Sequence, residues 1–376
     1  MARCTATYPT TTDDGTSPSR RRHDLDNTPA VPMRATITAE LPDHALAELR
    51  EMGYEPYVTG WGVTRQTLDA DALVDALAGA SLLICELEEV GDEIFARCPQ
   101  LQVVASCRGN PVNVDLDAAA RHGVLVLNTP GRNADSVADF TVAAILALQR
   151  GMVTGERHLR EKGWNVDGDL PYFHFRGHEL SRLTVGLLGY GAIGRKVARR
   201  LHDGFGATIL VHDPYVDPGD LPHRMASLAD LFAGSDVVSL HAGVSAGAPP
   251  LVGAAELALL GPGGYLVNTA RAALVDEAAL IDALTARRIA GAALDVFWTE
   301  PLPRDHPLLT LGNVLITPHL AGAAVYGAAH HARIVLEDLR SWNSGGEPLH
   351  AVVRPDRPRA ADPLTSDRTT STREAS

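Results

Sequence analysis

Short apolar runs alternate along this chain with segments whose apolar positions recur at helical spacing. In the first half the runs fall near residues 34–39, 81–85, 102–106 and 124–127, with a weaker one near 56–59. Helical patterns near 43–52, 69–79 and 115–122 stand between some of them. Short runs rich in Val, Ile and Leu read as strands buried on both faces, and their alternation with helices predicts parallel pairing. A longer helix is predicted to start near Ser136, because Ser136 and Asp139 have capping-box spacing and an apolar stretch continues to Leu148. Residues 151–182 read as irregular and hold Trp164, Tyr172, Phe173 and Phe175. A second series of runs follows at 184–189, 207–212, 236–240, 264–269, 292–297 and 313–317, and a last long helix is predicted over about 324–343. Six strands make a full dinucleotide-binding sheet. The pattern predicts an α/β protein with two doubly wound parallel sheets.

Length and composition agree with two domains of ordinary size. The chain has 376 residues, of which 45% are hydrophobic, ample material for two cores. The formal net charge of −13 argues against nucleic acid as a partner, since phosphate binding needs clustered Lys and Arg. No stretch stays apolar for the roughly 18 residues that a membrane helix needs. Cys4, Cys85, Cys98 and Cys107 show no CxxC spacing. They read as reduced thiols of a cytoplasmic protein, and no metal site is expected. Residues 1–32 are rich in Thr, Ser, Asp and Arg, with no apolar segment after the arginines. They are read as a disordered extension, or as a start placed upstream of Met33. The Pro-rich, polar tail after about residue 355 is read as disordered.

The first run of the second series leads into Gly189-Tyr190-Gly191-Ala192-Ile193-Gly194, followed by a helical pattern. In a dinucleotide-binding turn the first glycine permits the tight bend, the second lets backbone approach a pyrophosphate, and the third packs helix on strand. The spacing alone is weak, but the next run ends at Asp213, about 20 residues past the glycines, as such sites require. Asp213 alone could be a turn residue before Pro214. With the glycines it is expected to bind a ribose diol and to repel a 2′-phosphate. No Arg occurs in His212-Asp213-Pro214-Tyr215, so NAD is expected rather than NADP.

Ligands bind beyond the carboxyl ends of strands in open parallel sheets. The residues after the remaining runs are His241, Arg271, Asp295 with Glu300, and His319. His241 is read as structural. Hydride transfer to a 2-oxo acid needs a cation for the carboxylate and carbonyl, a proton donor, and a group that keeps the donor charged. Arg271 suits the first because guanidinium matches carboxylate bidentately. His319 suits the second, as a group that titrates near neutrality. Glu300 suits the third, as a carboxylate beside an imidazole.

The motifs Asn268-Thr269-Ala270-Arg271, Asp295-Val296-Phe297 with Glu300-Pro301-Leu302, and Thr317-Pro318-His319 closely resemble those of the D-isomer-specific 2-hydroxyacid dehydrogenases. Gly109 to Leu116, Asn128-Thr129-Pro130, Ser136-Val137-Ala138 and Gly291-Ala292-Ala293 extend the resemblance over about residues 34–353. It implies a Rossmann NAD-binding domain over residues 132–320, inserted into a flavodoxin-like substrate domain of residues 34–131 and 321–354. The flanks 1–33 and 355–376 fall outside both. It implies catalytic roles for Arg271, Glu300 and His319, places Ala192 and Ile193 at the pyrophosphate, and sets Thr269, Ala270 and Asp295 at the cofactor, Asp295 near its carboxamide. It also implies a small 2-hydroxy or 2-oxo acid as substrate, with Arg108, Gly109 and Asn110 in the substrate loop, and a homodimer. Ala272 stands where relatives carry glycine, and Gly243-Val244-Ser245-Ala246-Gly247 replaces their usual loop. Cys85-Glu86-Leu87-Glu88 lacks the arginines of phosphoglycerate-specific enzymes. Two other readings stay open: a non-catalytic NAD-sensing protein, and a relative acting on a phosphonate, phosphite or formate-like anion.

Overall fold

The computed structural model describes residues 32–244 and 247–355. The extension of residues 1–31 and the tail from 356, read above as disordered, lie outside the described residues, as do Ser245 and Ala246 of the divergent loop.

Five parallel strands open the chain: β1 (Met33–Ile37), β2 (Tyr54–Val58), β3 (Ala80–Cys85), β4 (Val103–Ser106) and β5 (Leu125–Leu127). Seven more form the second sheet: β6 (Thr184–Leu188), β7 (Thr208–His212), β8 (Arg224–Met225), β9 (Val237–Leu240), β10 (Tyr265–Asn268), β11 (Gly291–Leu294) and β12 (Val314–Ile316). The chain then returns to the first sheet. The helix Gly327–Asn343 packs Ala332, Val335, Leu336 and Leu339 against it, and β13 (Ala351–Val353) pairs antiparallel with β5.

Period-two burial explains why these runs are strands. In β3, Leu82 and Ile84 join the layer that holds the final helix, and Leu83 and Cys85 join the opposite layer. All four are fully buried, and Leu82, Leu83 and Ile84 each contribute roughly 1.5–3 kcal/mol. β9 divides likewise, with Val238 and Leu240 in one core and Val237 in the other.

The fold class is as expected, and its details differ in places. The second sheet has seven strands, in the order β12-β11-β10-β9-β6-β7-β8, and β13 makes the first sheet mixed, in the order β13-β5-β4-β3-β1-β2. The long first helix starts at Ala134, not Ser136, and its N-cap Asn133 makes no side-chain capping bond. Asp135 and Asp139 instead bind Lys196 and Arg200, at 2.9 and 2.7 Å. Residues 151–182 are not irregular throughout, because Met152–Lys162 is a helix. The final helix begins at Gly327 rather than 324. No single helix among the described residues is long and apolar enough to cross a membrane.

The strand order locates the ligand crevices. From β6 the chain moves outward to β7 and β8, then places β9 on the other side of β6. Such a reversal opens a crevice at the carboxyl ends of the two central strands. The first sheet reverses between β1 and β3. Protein fills that crevice: the Thr38 hydroxyl donates to Glu88 Oε2 at 2.6 Å, and Glu88 is 1% exposed.

Candidate active site

The glycine turn lies at the β6–β9 reversal. Gly189 has φ +98°, and a Cβ there would lie 2.6 Å from the Ala242 nitrogen. A Cβ on Gly194 would lie 2.4 Å from the Gly189 oxygen. These two glycines are required by the protein's own packing. Gly191 is different: a Cβ there would meet no atom of the described residues within 4 Å. It opens the helix Ala192–Phe205, which has no side-chain cap, so the first N–H groups, including those of Ala192 and Ile193, have no intrahelical acceptor. The turn fits a pyrophosphate, with space over the second glycine and donors beneath it.

Asp213 follows β7 and braces this turn. Its Oδ2 accepts from the Tyr190 N–H at 2.7 Å, and its Oδ1 from the Tyr215 N–H at 2.9 Å. His241 follows β9 and pairs with the Ser239 hydroxyl at 2.9 Å. Its Nδ1 is buried with no partner among the described residues, and burial drives its pKa down to about 4, so the imidazole is neutral at pH 7. Thr269 is buried, with its hydroxyl 2.9 Å from that of Thr141.

Arg271 is held by its neighbours. Asn268 accepts from the Ala270 N–H at 3.0 Å and donates to the Arg271 carbonyl at 2.9 Å. The bracket turns the chain after β10 and leaves the Arg271 side chain exposed, its guanidinium bonded among the described residues to the Ala270 carbonyl alone, at 2.6 Å.

Glu300 accepts from the Phe297 N–H at 3.0 Å and lies 2.8 Å from His319 Nδ1. Burial raises the Glu300 carboxyl, but the hydrogen bonds from His319 and the Phe297 N–H, with the charges of His319 and Arg271, outweigh it. The group is held below the usual carboxylate range. An ionised Glu300 only accepts, so Nδ1 carries the proton of this bond and Nε2 remains for chemistry.

His319 sits in the left-handed region, at φ +55°. A residue with a Cβ stays there only when its surroundings hold it. Asp295 is the holder. It is 1% exposed and accepts from the Thr317 hydroxyl at 2.6 Å and from the Leu320 and Ala321 N–H groups at 2.7 Å each. Beside Glu300 and His319 opens a cavity of about 700 Å³ with Phe297, Leu302, Leu309 and Ile316 on its walls.

Arg108, Gly109 and Asn110 follow β4. The Arg108 carbonyl accepts from the Thr129 N–H at 2.9 Å, and the Gly109 carbonyl from Asn128 Nδ2 at 2.7 Å. The segment tethering this loop reaches both halves of the site. A Cβ on Gly131 would sit 3.4 Å from the Ala192 Cβ, and Asn133 packs against Gly322, in the loop that carries His319. Next to it Arg132 pairs with Glu86 at 2.6 Å and lies 3.1 Å from Nδ1 of buried His331.

The structure thus brings Glu300 and His319 into direct contact, within electrostatic reach of Arg271, and gathers the glycines with Asp213 at one crevice. Sequence reasoning missed Asn268 as the bracket, Asp295 as the clamp, and the Glu86–Arg132–His331 chain. The first two stood inside quoted motifs. The third joins residues up to 199 apart, and no local pattern signals it.

Comparison with known proteins identifies the family. A family model described as the NAD-binding domain of D-isomer-specific 2-hydroxyacid dehydrogenases matches residues 142–321. The glyoxylate reductase of Korarchaeum cryptofilum is 33% identical over 328 residues, covering 85% of this chain and 95% of its own length. This chain belongs to the D-isomer-specific 2-hydroxyacid dehydrogenase family. It is an oxidoreductase of the class acting on CH–OH donors, and it pairs a Rossmann sheet with a second α/β sheet. D-3-phosphoglycerate dehydrogenase of Mycobacterium tuberculosis is 38% identical over 276 residues, 72% of this dehydrogenase; the match spans 51% of that longer protein. The crystal structure of an NADPH-dependent glyoxylate/hydroxypyruvate reductase from Sinorhizobium meliloti superposes with a TM-score of 0.71 at 31% identity, covering 87% of this chain and all of that one. That neighbour is NADPH-dependent, whereas the family model describes an NAD-binding domain.

Proposed function

We propose that this chain interconverts a small D-2-hydroxy acid and its 2-oxo acid with NAD as cofactor. The observation that carries the reading is the 2.8 Å Glu300–His319 contact, on a clamped loop, beside the exposed guanidinium of Arg271.

Arg271 binds the substrate carboxylate and polarises the adjacent carbonyl. His319 gives a proton from Nε2 to the carbonyl oxygen in reduction and takes it back in oxidation. Glu300, ionised at neutral pH, holds Nδ1 and favours the charged imidazole. Asp295 and Asn268 are positioning residues for His319 and Arg271. Gly189, Gly191, Ala192, Ile193 and Gly194 would hold the dinucleotide's phosphates, Asp213 its adenosine ribose, and Thr269, Ala270 and Asp295 its nicotinamide end. The nicotinamide, when bound, supplies the hydride or accepts it. Arg108, Gly109 and Asn110 line the substrate from the first sheet. Residues 34–131 with 321–354 serve as the substrate domain, and 132–320 as the cofactor domain.

NAD is favoured over NADP because the Asp213 carboxylate, fixed by two backbone donors, repels a 2′-phosphate. A homodimer is favoured by the exposed Trp164, Tyr172 and Phe173, which are 68%, 72% and 59% accessible on a segment next to the helix Met152–Lys162. The free buried thiols Cys85 and Cys107 suit a reducing compartment, which we take to be the cytoplasm. The acidic net charge gives no support to a nucleic-acid partner.

The test is NADH oxidation across a panel of 2-oxo acids, with chiral analysis of the product. Formation of the D-hydroxy acid supports the reading, and no turnover of any 2-oxo acid refutes it.

A further inference from the structure

Glu86, Glu88, Arg108 and Arg132 lie beyond the carboxyl ends of the first sheet's strands. Three are engaged. Glu86 is paired with Arg132 at 2.6 Å, and Arg132 also reaches His331. Glu88 is buried, bound by the Thr38 hydroxyl at 2.6 Å and the Trp61 N–H at 3.2 Å. Arg108 is not. The residue is half-buried, and its side chain makes no ion pair and no hydrogen bond among the described residues.

The backbone around Arg108 is nonetheless fixed. The Arg108 carbonyl is held by the Thr129 N–H and the Gly109 carbonyl by Asn128. Among the described residues, the N–H groups of Arg108, Gly109 and Asn110 have no acceptor. A tethered loop with open donors and a partly buried, unpaired cation is arranged for an anion from outside the protein. Removing a guanidinium from water without a partner is costly, and the cost is recovered when a ligand supplies the charge.

We propose that Arg108 is a specificity residue that binds a second carboxylate, at the far end of the substrate, so that the preferred substrate is a 2-oxo or 2-hydroxy diacid. The proposal rests on the reading that Arg271 takes the first carboxylate. Charge matching selects a carboxylate over a phosphate. A carboxylate carries one charge and meets one guanidinium bidentately. A phosphate monoester carries about −1.5 to −2 at neutral pH and needs a second cation. Arg132, on the segment that tethers this loop, is committed to Glu86.

The experiment compares matched pairs: 2-oxobutanoate with 2-oxobutanedioate, and 2-oxopentanoate with 2-oxopentanedioate. It adds 3-phosphooxy-2-oxopropanoate as the phosphate arm. Each is assayed by NADH oxidation for the full-length wild type, Arg108→Gln and Arg108→Lys. The wild type is expected to prefer one diacid over its monoacid in kcat/KM by roughly 10- to 100-fold, the worth of one charged hydrogen-bonded contact. Arg108→Gln should lower kcat/KM for that diacid at least tenfold more than for the monoacid, mainly through KM, and Arg108→Lys should keep part of the preference. Equal use of diacid and monoacid overturns the proposal, as does equal loss on both in Arg108→Gln, or a preference for the phosphate arm. No turnover of any 2-oxo acid overturns the dehydrogenase reading itself, and this proposal with it.

Discussion

Gly191→Ala separates a turn built for the fold from a turn built for a ligand. The backbone at Gly191 has φ −76° and ψ −157°, which alanine adopts freely. The added methyl would touch nothing within 4 Å. Folding stability should therefore stay level, or rise by up to about 1 kcal/mol as the unfolded chain loses freedom. The dinucleotide should respond differently. A methyl in the space over the turn keeps a pyrophosphate from at least one charge-assisted N–H bond, worth about 1.5–3 kcal/mol, or roughly 10- to 150-fold in Kd. Gly189→Ala is the contrast. Its φ of +98° and the 2.6 Å approach to the Ala242 nitrogen should cost more than about 2 kcal/mol of stability before any ligand is added. The assays are urea unfolding and NADH fluorescence titration on each variant. Unchanged NADH affinity in Gly191→Ala would show that no ligand uses the space. A loss of more than about 2 kcal/mol in that variant would show that the turn is packed more tightly than described.

Three further outcomes follow from single contacts. Glu300 is held below its ordinary range, so its stabilising contribution is present above the unfolded carboxyl's pKa and is lost as pH falls through the lower folded value. The difference in stability between wild type and Glu300→Gln should be steady from about pH 5 to 6, at most about 1 kcal/mol at this solvent-screened site, and should shrink below about pH 4. Urea titrations at stepped pH check this, and a difference that grows on acidification contradicts it. Asp213→Ala should bring kcat/KM for NADPH closer to that for NADH, and a wild type that already prefers NADPH removes Asp213 from its role. Light scattering should report a dimer for the wild type and dissociation in a Trp164→Glu, Tyr172→Glu double variant; a wild-type monomer at micromolar concentration contradicts the docking arm.

The legible parts of the fold are those with strong local signals. Strands such as β3 and β6, buried on both faces, were placed within a residue or two because Leu82 to Cys85 and Val185 to Leu188 are unbroken apolar runs. β8 escaped because Arg224-Met225 has no run at all, and β13 because Ala351–Val353 stands among polar and Pro-rich neighbours. The helix Met152–Lys162 was hidden because none of its residues is buried, with Met152 and Leu159 60% and 52% accessible, so no core-facing stripe marks it. Ser136 looked like a cap, although the helix had already begun at Ala134. In the site, Arg271, Glu300 and His319 were visible because they follow strand ends. The clamp of Asp295 on the His319 loop was not, since its acceptors meet N–H groups 25 and 26 residues away. Nor was the left-handed backbone of His319, which no histidine announces in sequence.

The central claim is that His319 moves the proton while the rest of the site binds and orients. Replacing His319 with Gln keeps a side chain that can hydrogen-bond but removes the titrating nitrogen. At saturating NADH and 2-oxo acid, kcat of His319→Gln should fall by roughly 10² to 10⁴, with an equal loss in the oxidative direction and NADH affinity within twofold of wild type. Turnover within tenfold of wild type in either direction would contradict the account.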